Sequence, residues 1–521
     1  MGKSVFSAVM HTKLVVRGNK DSSLVMAHHF FTVGHTRSQG RTMLLCLAQQ
    51  LAEKLPGLAA LLVPVVEKHG NATQLSMQDT FTRFLRLPGW VRVLLTARPQ
   101  VEPAFEAWNP KWIKPEALQN QRDMLALLRW RLGQGSLVAD CDLEAAAQLM
   151  LEKSSGQFIY TKYAFDELSD QATWTLQELE ARLPSRLEGM YLRVLSTLQE
   201  ALEAERPDLL ELLHTRLLPV LVACLEPLTV QELAWATGCE ADTSKVQQLV
   251  GLLANLFPCR PAGPNQQERV APYHKSVLDW LTSAAGMSAG QFHVSTQQGH
   301  RLLASACLEE AKHCVVMCEP DSTSGYTGTG LGYSLRHAVA HACLSGDSDV
   351  LQPLLLKFGF WQAAYKEGHG PDVLRDLIGL SQQAPAACQT IVQDVARWLR
   401  MCSNTLVKFP WAALQLARDA PHNSLVARQA ASFPNQPVAS LLTKEDDWTA
   451  CLAVLTGHED SVRSVATDGK VIASGSGDKT VRVWDVATGR CMYTLEHTDA
   501  VRAVALSLDG KIIVSTSDKT I

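Results

Sequence analysis

Hydrophobic positions follow two different periods along the chain, and the change of period divides it into two parts. Between about residues 115 and 440 they recur every three or four residues, for example over 122–132 and 187–204. That spacing puts apolar side chains on one face of an α-helix. Near the C-terminus Val481 and Val483 alternate with polar residues, which is the period of a strand. The pattern therefore predicts a mostly α-helical middle followed by an all-β end.

The first hundred residues carry short apolar runs separated by a helical pattern. "LVMAHHFF" (24–31) and "WVRVLLTARP" (90–99) have the length and composition of buried strands, and "RTMLLCLAQQLAEKLPG" (41–57) is amphipathic. Strands and helices that alternate at this spacing are typical of a parallel α/β core. We therefore predict strands near 24–31 and 91–96, with helix 41–55 packed on the sheet.

One helix start is well marked in the middle of the chain. In "PLTVQELAWATG" Thr229 can cap the first turn, Glu232 lies three residues on, and Gly238 can end the helix. A second helical pattern over 244–257 and a Pro/Gly-rich segment follow, and then "RVAPYHKSVLDWL" (269–281). This order of elements is that of a winged helix.

The C-terminal stretch repeats itself at about 40 residues. His458 aligns with His497 and Asp478 with Asp518, and "SGSGDKTVRVWD" closes the first unit. A Gly-His start, a Trp-Asp end and this period are typical of propeller blades. We expect Asp478 to accept hydrogen bonds in a tight turn, and Trp484 and His458 to hold the blade together.

Composition narrows the class of protein. The chain of 521 residues is 46% hydrophobic and 19% charged, with a formal net charge of -4. We therefore expect a soluble protein that has no basic face for nucleic acid. We find no apolar run near 18 residues, so we expect no membrane span. The 13 cysteines form no C-x-x-C pair, which favours reduced thiols and a cytoplasmic location.

Two places in the chain bring together residues of types that bind metal ions. "HAVAH" places His337 and His341 on one helix face, but a zincin needs Glu where Ala338 stands. The other group matches no zinc template and consists of Cys307, His313, Cys314 and Cys318. We expect ordinary core or surface side chains at both places.

Several short motifs together resemble one family. "GKSVFSAVM" looks like the end of a Walker A loop, "LPGWVRVLLTARP" resembles a sensor strand, and "PLTVQELAWATG" with "YHKSVLDWL" resembles a winged helix. Read in order, with the blades last, the chain resembles a NACHT-type (STAND class) signal-transducing NTPase fused to WD repeats, apparently truncated at both ends.

The resemblance implies a multidomain fold with a partial α/β P-loop NTPase core, a winged helix, a mostly α-helical middle and the WD-repeat blades of an incomplete propeller. The implied units are a partial NACHT-like core at 1–110, a helical region at 111–204, a winged-helix-like domain at 205–285, a helical connector at 286–445, and WD repeats, one complete and one partial, at 450–521.

The same resemblance implies a nucleotide site for ATP or ADP with Mg²⁺ in the intact parent protein. Gly2, Lys3 and Ser4 would end the phosphate loop, with Lys3 on phosphate and Ser4 on the metal. Arg98 would sense the terminal phosphate and His274 would reach the β-phosphate. The alternatives are a frayed terminus for the first three, a solvated arginine and a core histidine.

The function implied is a nucleotide-dependent signalling switch and scaffold in which a NACHT module is coupled to a propeller. No apolar run between Pro64 and Pro88 ends in the aspartate of a Walker B strand. We therefore expect this chain neither to hydrolyse nucleotide nor to bind it tightly. The alternative is a non-catalytic WD-repeat and helical scaffold. Either would use protein partners, with neither nucleic acid nor membrane, and the intact parent could form oligomers.

Overall fold

The computed structural model describes most of the chain after residue 117. The described ranges are 118–134, 138, 142–168, 173–261, 267–283, 292–316, 328–433, 444–507 and 513–517. The strands predicted near 24–31 and 91–96, helix 41–55, and the site residues Gly2, Lys3, Ser4 and Arg98 lie outside these ranges.

Helices fill the described part of the chain up to residue 433, as the periodicity predicts. In chain order they are α1 Leu118–Gln134, α2 Leu143–Ser154, α3 Phe158–Glu167, α4 Leu176–Arg182, α5 Arg186–Glu205, α6 Pro207–Leu212, α7 Leu218–Ala223, α8 Val230–Thr237, α9 Thr243–Leu252, α10 Lys275–Leu281, α11 Thr296–Lys312, α12 Leu331–Ser345, α13 Ser348–Leu355, α14 Phe358–Lys366, α15 Gly370–Gly379, α16 Gln389–Lys408, α17 Ala413–Arg418 and α18 Leu425–Ala431.

In the described part of the chain the strands form three antiparallel sheets. A short pair lies within the helical part, β1 Cys259–Pro261 and β2 Glu268–Val270. The C-terminal strands are β3 Val462–Thr467, β4 Val471–Ser476, β5 Thr480–Asp485, β6 Cys491–Glu496, β7 Val501–Leu506 and β8 Ile513–Ser517. Strands β3 to β6 form a four-stranded meander, the first blade, and β7 pairs with β8 as the second blade.

The helix start predicted at Thr229 is confirmed. Thr229 Oγ1 accepts the Glu232 N–H at 3.1 Å, and Glu232 Oε2 accepts the Thr229 N–H at 2.8 Å. Two of the amides that a helix start leaves unpaired are thereby satisfied reciprocally. Gly238 ends α8 with a φ of 71°, a left-handed conformation that costs glycine little.

The domain boundaries predicted from the sequence, at residues 110, 204, 285 and 445, stay predictions.

One continuous core runs through the helices. Its buried side chains extend from Met124 to Ala430, and Trp448 packs against it just before the blades. The second core belongs to the blades and centres on Ala473, Val481 and Val501. Among the described residues no helix has both the length and the apolarity that crossing a bilayer requires.

One turn of π-helix, Leu213–Leu217, leads directly into α7, and α7 packs on α11. Pro219 has no N–H to offer the Thr215 carbonyl one turn earlier, and Gln298 Nε2 on α11 donates to that oxygen at 2.9 Å. At the next residue Gly299 lets the two backbones approach. A Cβ built there would lie 2.0 Å from Pro219 O and 2.6 Å from Ala223 Cβ.

Replacing Gly299 with alanine should therefore destabilise the helical part by about 2 kcal/mol, because overpacking costs more than the helix propensity gains. The matched control is Gly251→Ala on α9, where a new Cβ meets nothing within 4 Å. We expect that change to be neutral or slightly stabilising. Urea unfolding followed by circular dichroism measures both, and equal midpoints would contradict this account of the close approach.

Candidate functional site

A hydrogen-bonded chain of four side chains fixes the first blade. His458 Nδ1 lies 2.8 Å from Asp478 Oδ2, and its Nε2 lies 2.7 Å from Ser474 Oγ. Trp484 Nε1 donates to the same Ser474 Oγ at 2.8 Å. Since an ionised carboxylate only accepts, His458 donates from Nδ1 to Asp478. These contacts bind the start of the repeat to its second and third strands.

Asp478 is the charged end of this chain. Its Oδ1 accepts the Thr480 hydroxyl at 2.7 Å and the Thr480 N–H at 2.9 Å, and its Oδ2 accepts the Glu459 N–H at 3.1 Å. Burial opposes ionisation, but the hydrogen bonds from Thr480, His458 and the backbone outweigh it and lower the pKa of Asp478. The structural roles predicted for Asp478, His458 and Trp484 are confirmed by this geometry.

The second blade repeats part of the pattern. His497 Nε2 lies 2.8 Å from Ser515 Oγ, as His458 does from Ser474. The predicted partner Asp518 lies outside the described residues. Within them no three His, Cys, Asp or Glu side chains gather as metal ligands do. His341 is a fully buried core side chain on α12.

The helices hold the first blade at one end. Arg400 Nε on α16 donates to Ala487 O at 3.0 Å, and Asn404 Nδ2 donates to Gly489 O at 3.2 Å. Arg375 Nη2 on α15 lies 3.2 Å from Asp485 Oδ2. All three reach the turn between β5 and β6. Because the acceptors include backbone carbonyls at fixed positions, the contact sets the orientation of the blade.

A second contact fixes the chain that enters the blade. Arg397, also on α16, donates to Cys451 O at 3.2 Å and bonds Thr449 O. Arg397, Arg400 and Asn404 are spaced so that they share one face of the helix. The sequence analysis missed this junction. The signal for it was the row of polar residues Arg397, Arg400 and Asn404 on one face of α16.

His274 is the one predicted nucleotide-site residue within the described ranges, and its side chain caps a helix. His274 Nδ1 accepts the Ser276 N–H at 3.2 Å and lies 2.6 Å from Ser276 Oγ at the start of α10. Ser276 Oγ in turn lies 2.7 Å from the hydroxyl of Tyr191 on α5. The arrangement ties α10 to α5, and the phosphate contact stays a prediction.

Comparisons with known proteins match the repeats. The family "WD domain, G-beta repeat" matches residues 449–485 and 489–521. A "Ribosome biogenesis protein BOP1 homolog" of Drosophila virilis is 49% identical over 63 residues, which are 12% of this chain and 8% of that protein. A "CCR4-associated factor 4 homolog" of Candida glabrata is 43% identical over 70 residues, 13% of this chain and 12% of that protein.

These matches correct the family interpretation. The likeness to a NACHT-type (STAND class) NTPase is wrong, because the family that matches is the WD repeat and neither that family nor the names of the relatives point to a P-loop module. The chain spans about a tenth of the length of the curated relatives it matches. A helical middle followed by C-terminal WD repeats is what the structure and the comparisons show together.

Proposed function

We propose that this chain is a non-catalytic scaffold that binds protein partners through its WD repeats, with the helices as the support. The observation that carries the proposal is the junction at Ala487 and Gly489. It occupies one end of the first blade and leaves the turns at the other end exposed. Those turns, here called the distal turns, are residues 457–461 and 477–479.

The distal turns have the properties of a binding surface. Glu459, Asp460 and Lys479 are exposed there, while the chain from His458 to Trp484 fixes the backbone beneath them. Within the described ranges, no hydrogen bond or ion pair from a helix reaches these turns. A rigid surface with exposed charge binds a protein partner at a low entropic cost.

The relatives support the module and leave the partner open. Proteins named for ribosome biogenesis and for CCR4 association are similar to this chain over 63 and 70 residues. What they have in common with it is the repeat, which favours a shared mode of protein binding. We therefore propose protein partners of the blades without taking over either name.

Charge reversal at the distal turns tests the proposal. Lys479→Glu should lower the recovery of specific partners at least tenfold in quantitative affinity purification of the full chain, because charge at an interface steers and orients binding. The matched control is Lys470→Glu, another exposed lysine, in the β3–β4 turn at the helix-bound end. Equal recovery with both variants would refute the distal turns as the binding surface.

A further inference from the structure

The helical part of the chain carries an open groove with a volume of about 450 Å³. Helix α13 and the residues that follow it line the groove with Asp349, Pro353, Leu356 and Lys357, and Phe433, just after α18, also lies in its wall. A groove of this volume is in the range of pockets that hold a ligand. The chemistry of its walls indicates which kind of ligand fits.

Charged and apolar side chains follow one another in order along the groove. Asp349 lies near the start of α13 and Lys357 lies two residues after its end, so they are about 12 Å apart at 1.5 Å per residue. Pro353 lies midway between them, and Leu356 and Phe433 add to the apolar middle. Within the described ranges neither charged side chain forms an ion pair. A ligand with a cation at one end, an apolar group in the middle and an anion at the other end is therefore complementary to the groove.

The groove also offers polar groups suited to a peptide backbone. Pro353 has no N–H, so the Asp349 carbonyl one turn earlier lacks its usual helical donor. The side-chain amides of Gln352 and Gln429 form no hydrogen bond with another described residue, and each amide can both donate and accept. An extended peptide has N–H and C=O groups that need such partners, whereas an α-helix satisfies its own. The groove therefore suits an extended segment better than a helix.

Buried side chains fix the walls of the groove. The Phe433 ring packs edge-on against Phe358 with the centroids 6.0 Å apart, and Phe358 packs against Trp398 at 5.6 Å. Phe358 and Trp398 are each 1% exposed. On α13, Leu351 and Leu354 are fully buried. Because the walls are already ordered, a ligand binds at a low entropic cost.

We propose that this groove binds an extended segment of a partner protein that has a basic, an apolar and an acidic residue at positions i, i+2 and i+4. Alternate side chains of an extended chain point to the same side, and four residues span about 13 Å. The basic residue then pairs with Asp349 and the acidic one with Lys357, while the apolar one packs on Pro353 and Phe433. This site is separate from the distal turns.

A labelled peptide tests the match of spacing and chemistry. The probe is fluorescein-labelled Ser-Arg-Ser-Leu-Ser-Glu-Ser, titrated with the full chain and followed by fluorescence anisotropy. We expect saturable binding with a dissociation constant below about 1 mM. Serine in place of the leucine should raise that constant at least fivefold, because the apolar contact is lost. Absence of saturation, as when the chain itself already fills the groove, or equal binding of the two peptides would overturn the proposal.

An exchange of charge locates the site. Asp349→Lys should weaken binding of the arginine peptide at least fivefold. The same variant should bind the peptide with glutamate in place of arginine at least fivefold more tightly than the unmodified chain does, and such a gain cannot come from a loss of folding. Glu200→Lys is the matched control, because Glu200 is an exposed carboxylate on α5 and should change neither constant.

The proposal is overturned if Asp349→Lys leaves the preference between the two peptides unchanged, or if Glu200→Lys changes it equally. Lys479 lines no part of the groove. Failure of the peptide test therefore leaves the expected result for Lys479→Glu unaffected.

Discussion

Replacing Trp484 with alanine is expected to unfold the first blade while the helices stay folded. The indole is 1% exposed and donates to Ser474 Oγ at 2.8 Å. It also packs edge-on against His458, with the ring centroids 6.2 Å apart. Truncating a buried tryptophan costs about 3–5 kcal/mol, and a single four-stranded sheet has little stability to lose.

Hydrogen exchange measured by mass spectrometry separates the two parts of the molecule. Amides of β3 to β6 should lose protection in Trp484→Ala, and those of α11 and α12 should keep it. Trp484→Phe retains most of the buried area and loses the N–H donor, so it should cost only about 1–2 kcal/mol. Trp130→Ala is the control for loss of an indole, since Trp130 is 57% exposed. Unchanged protection of β3 to β6 in Trp484→Ala would show that the side-chain chain does not hold the blade.

Local signals were sufficient for the blade and for the capped helix. His458, Ser474 and Trp484 lie within 27 residues in a recurring pattern, and the Thr229 capping box spans four residues. Each of these features forms its hydrogen bonds within the unit that the pattern defines. For that reason the sequence was enough to predict both elements and the roles of His458, Trp484 and Thr229, although the role of Ser474 was not predicted.

Contacts between distant segments could not be predicted in the same way. Arg400 reaches Ala487 across 87 positions, and His300 reaches His341 across 41. Both depend on how helices pack, which a single amphipathic pattern leaves open.

The NACHT interpretation failed for a related reason. Motifs such as Gly2-Lys3-Ser4 are a few residues long, and their order along the chain lent them weight that each one lacks.

An array of one tyrosine and two histidines, the buried Tyr333 and His341 with the half-buried His300, joins α12 to α11. The Tyr333 oxygen accepts the Leu225 N–H at 3.1 Å and lies 2.7 Å from His341 Nε2. His341 Nδ1 lies 2.8 Å from His300 Nδ1, so one of these two nitrogens carries the hydrogen and the other accepts it. A neutral imidazole offers one N–H and one acceptor nitrogen, so two neutral rings satisfy these contacts without two N–H groups facing each other. A further proton on His341, or on the inner nitrogen of His300, would set two N–H groups against each other or displace the tyrosine.

We therefore expect the helical part to lose stability in mild acid. Burial lowers the pKa of His300 from 6.5 to about 4, and burial with the neighbouring His300 and His337 lowers that of His341 well below 6.5. Above pH 6.5 neither the folded nor the unfolded chain takes up protons at these two histidines. As the pH falls below 6.5 the unfolded chain binds protons that the folded chain cannot, so stability falls by up to about 1.4 kcal/mol per pH unit for each group. Partial exposure of His300 reduces this, and we expect a loss of about 3 kcal/mol by pH 5.

Exchange protection of α11 and α12 should follow this loss, measured in the full chain between pH 5 and 7.5 with the intrinsic exchange rate corrected at each pH. His341→Gln supplies a donor and an acceptor without a titrating group, so it should flatten the dependence between pH 5 and 6.5. His422→Gln is the matched control, since His422 is exposed and should leave the slope unchanged. If His341→Gln keeps the slope of the unmodified chain, the acid sensitivity comes from other groups. A flatter dependence of stability on pH would show that neutral imidazoles hold α11 against α12. Helix α12 packs in turn on α15, which contacts the first blade through Arg375.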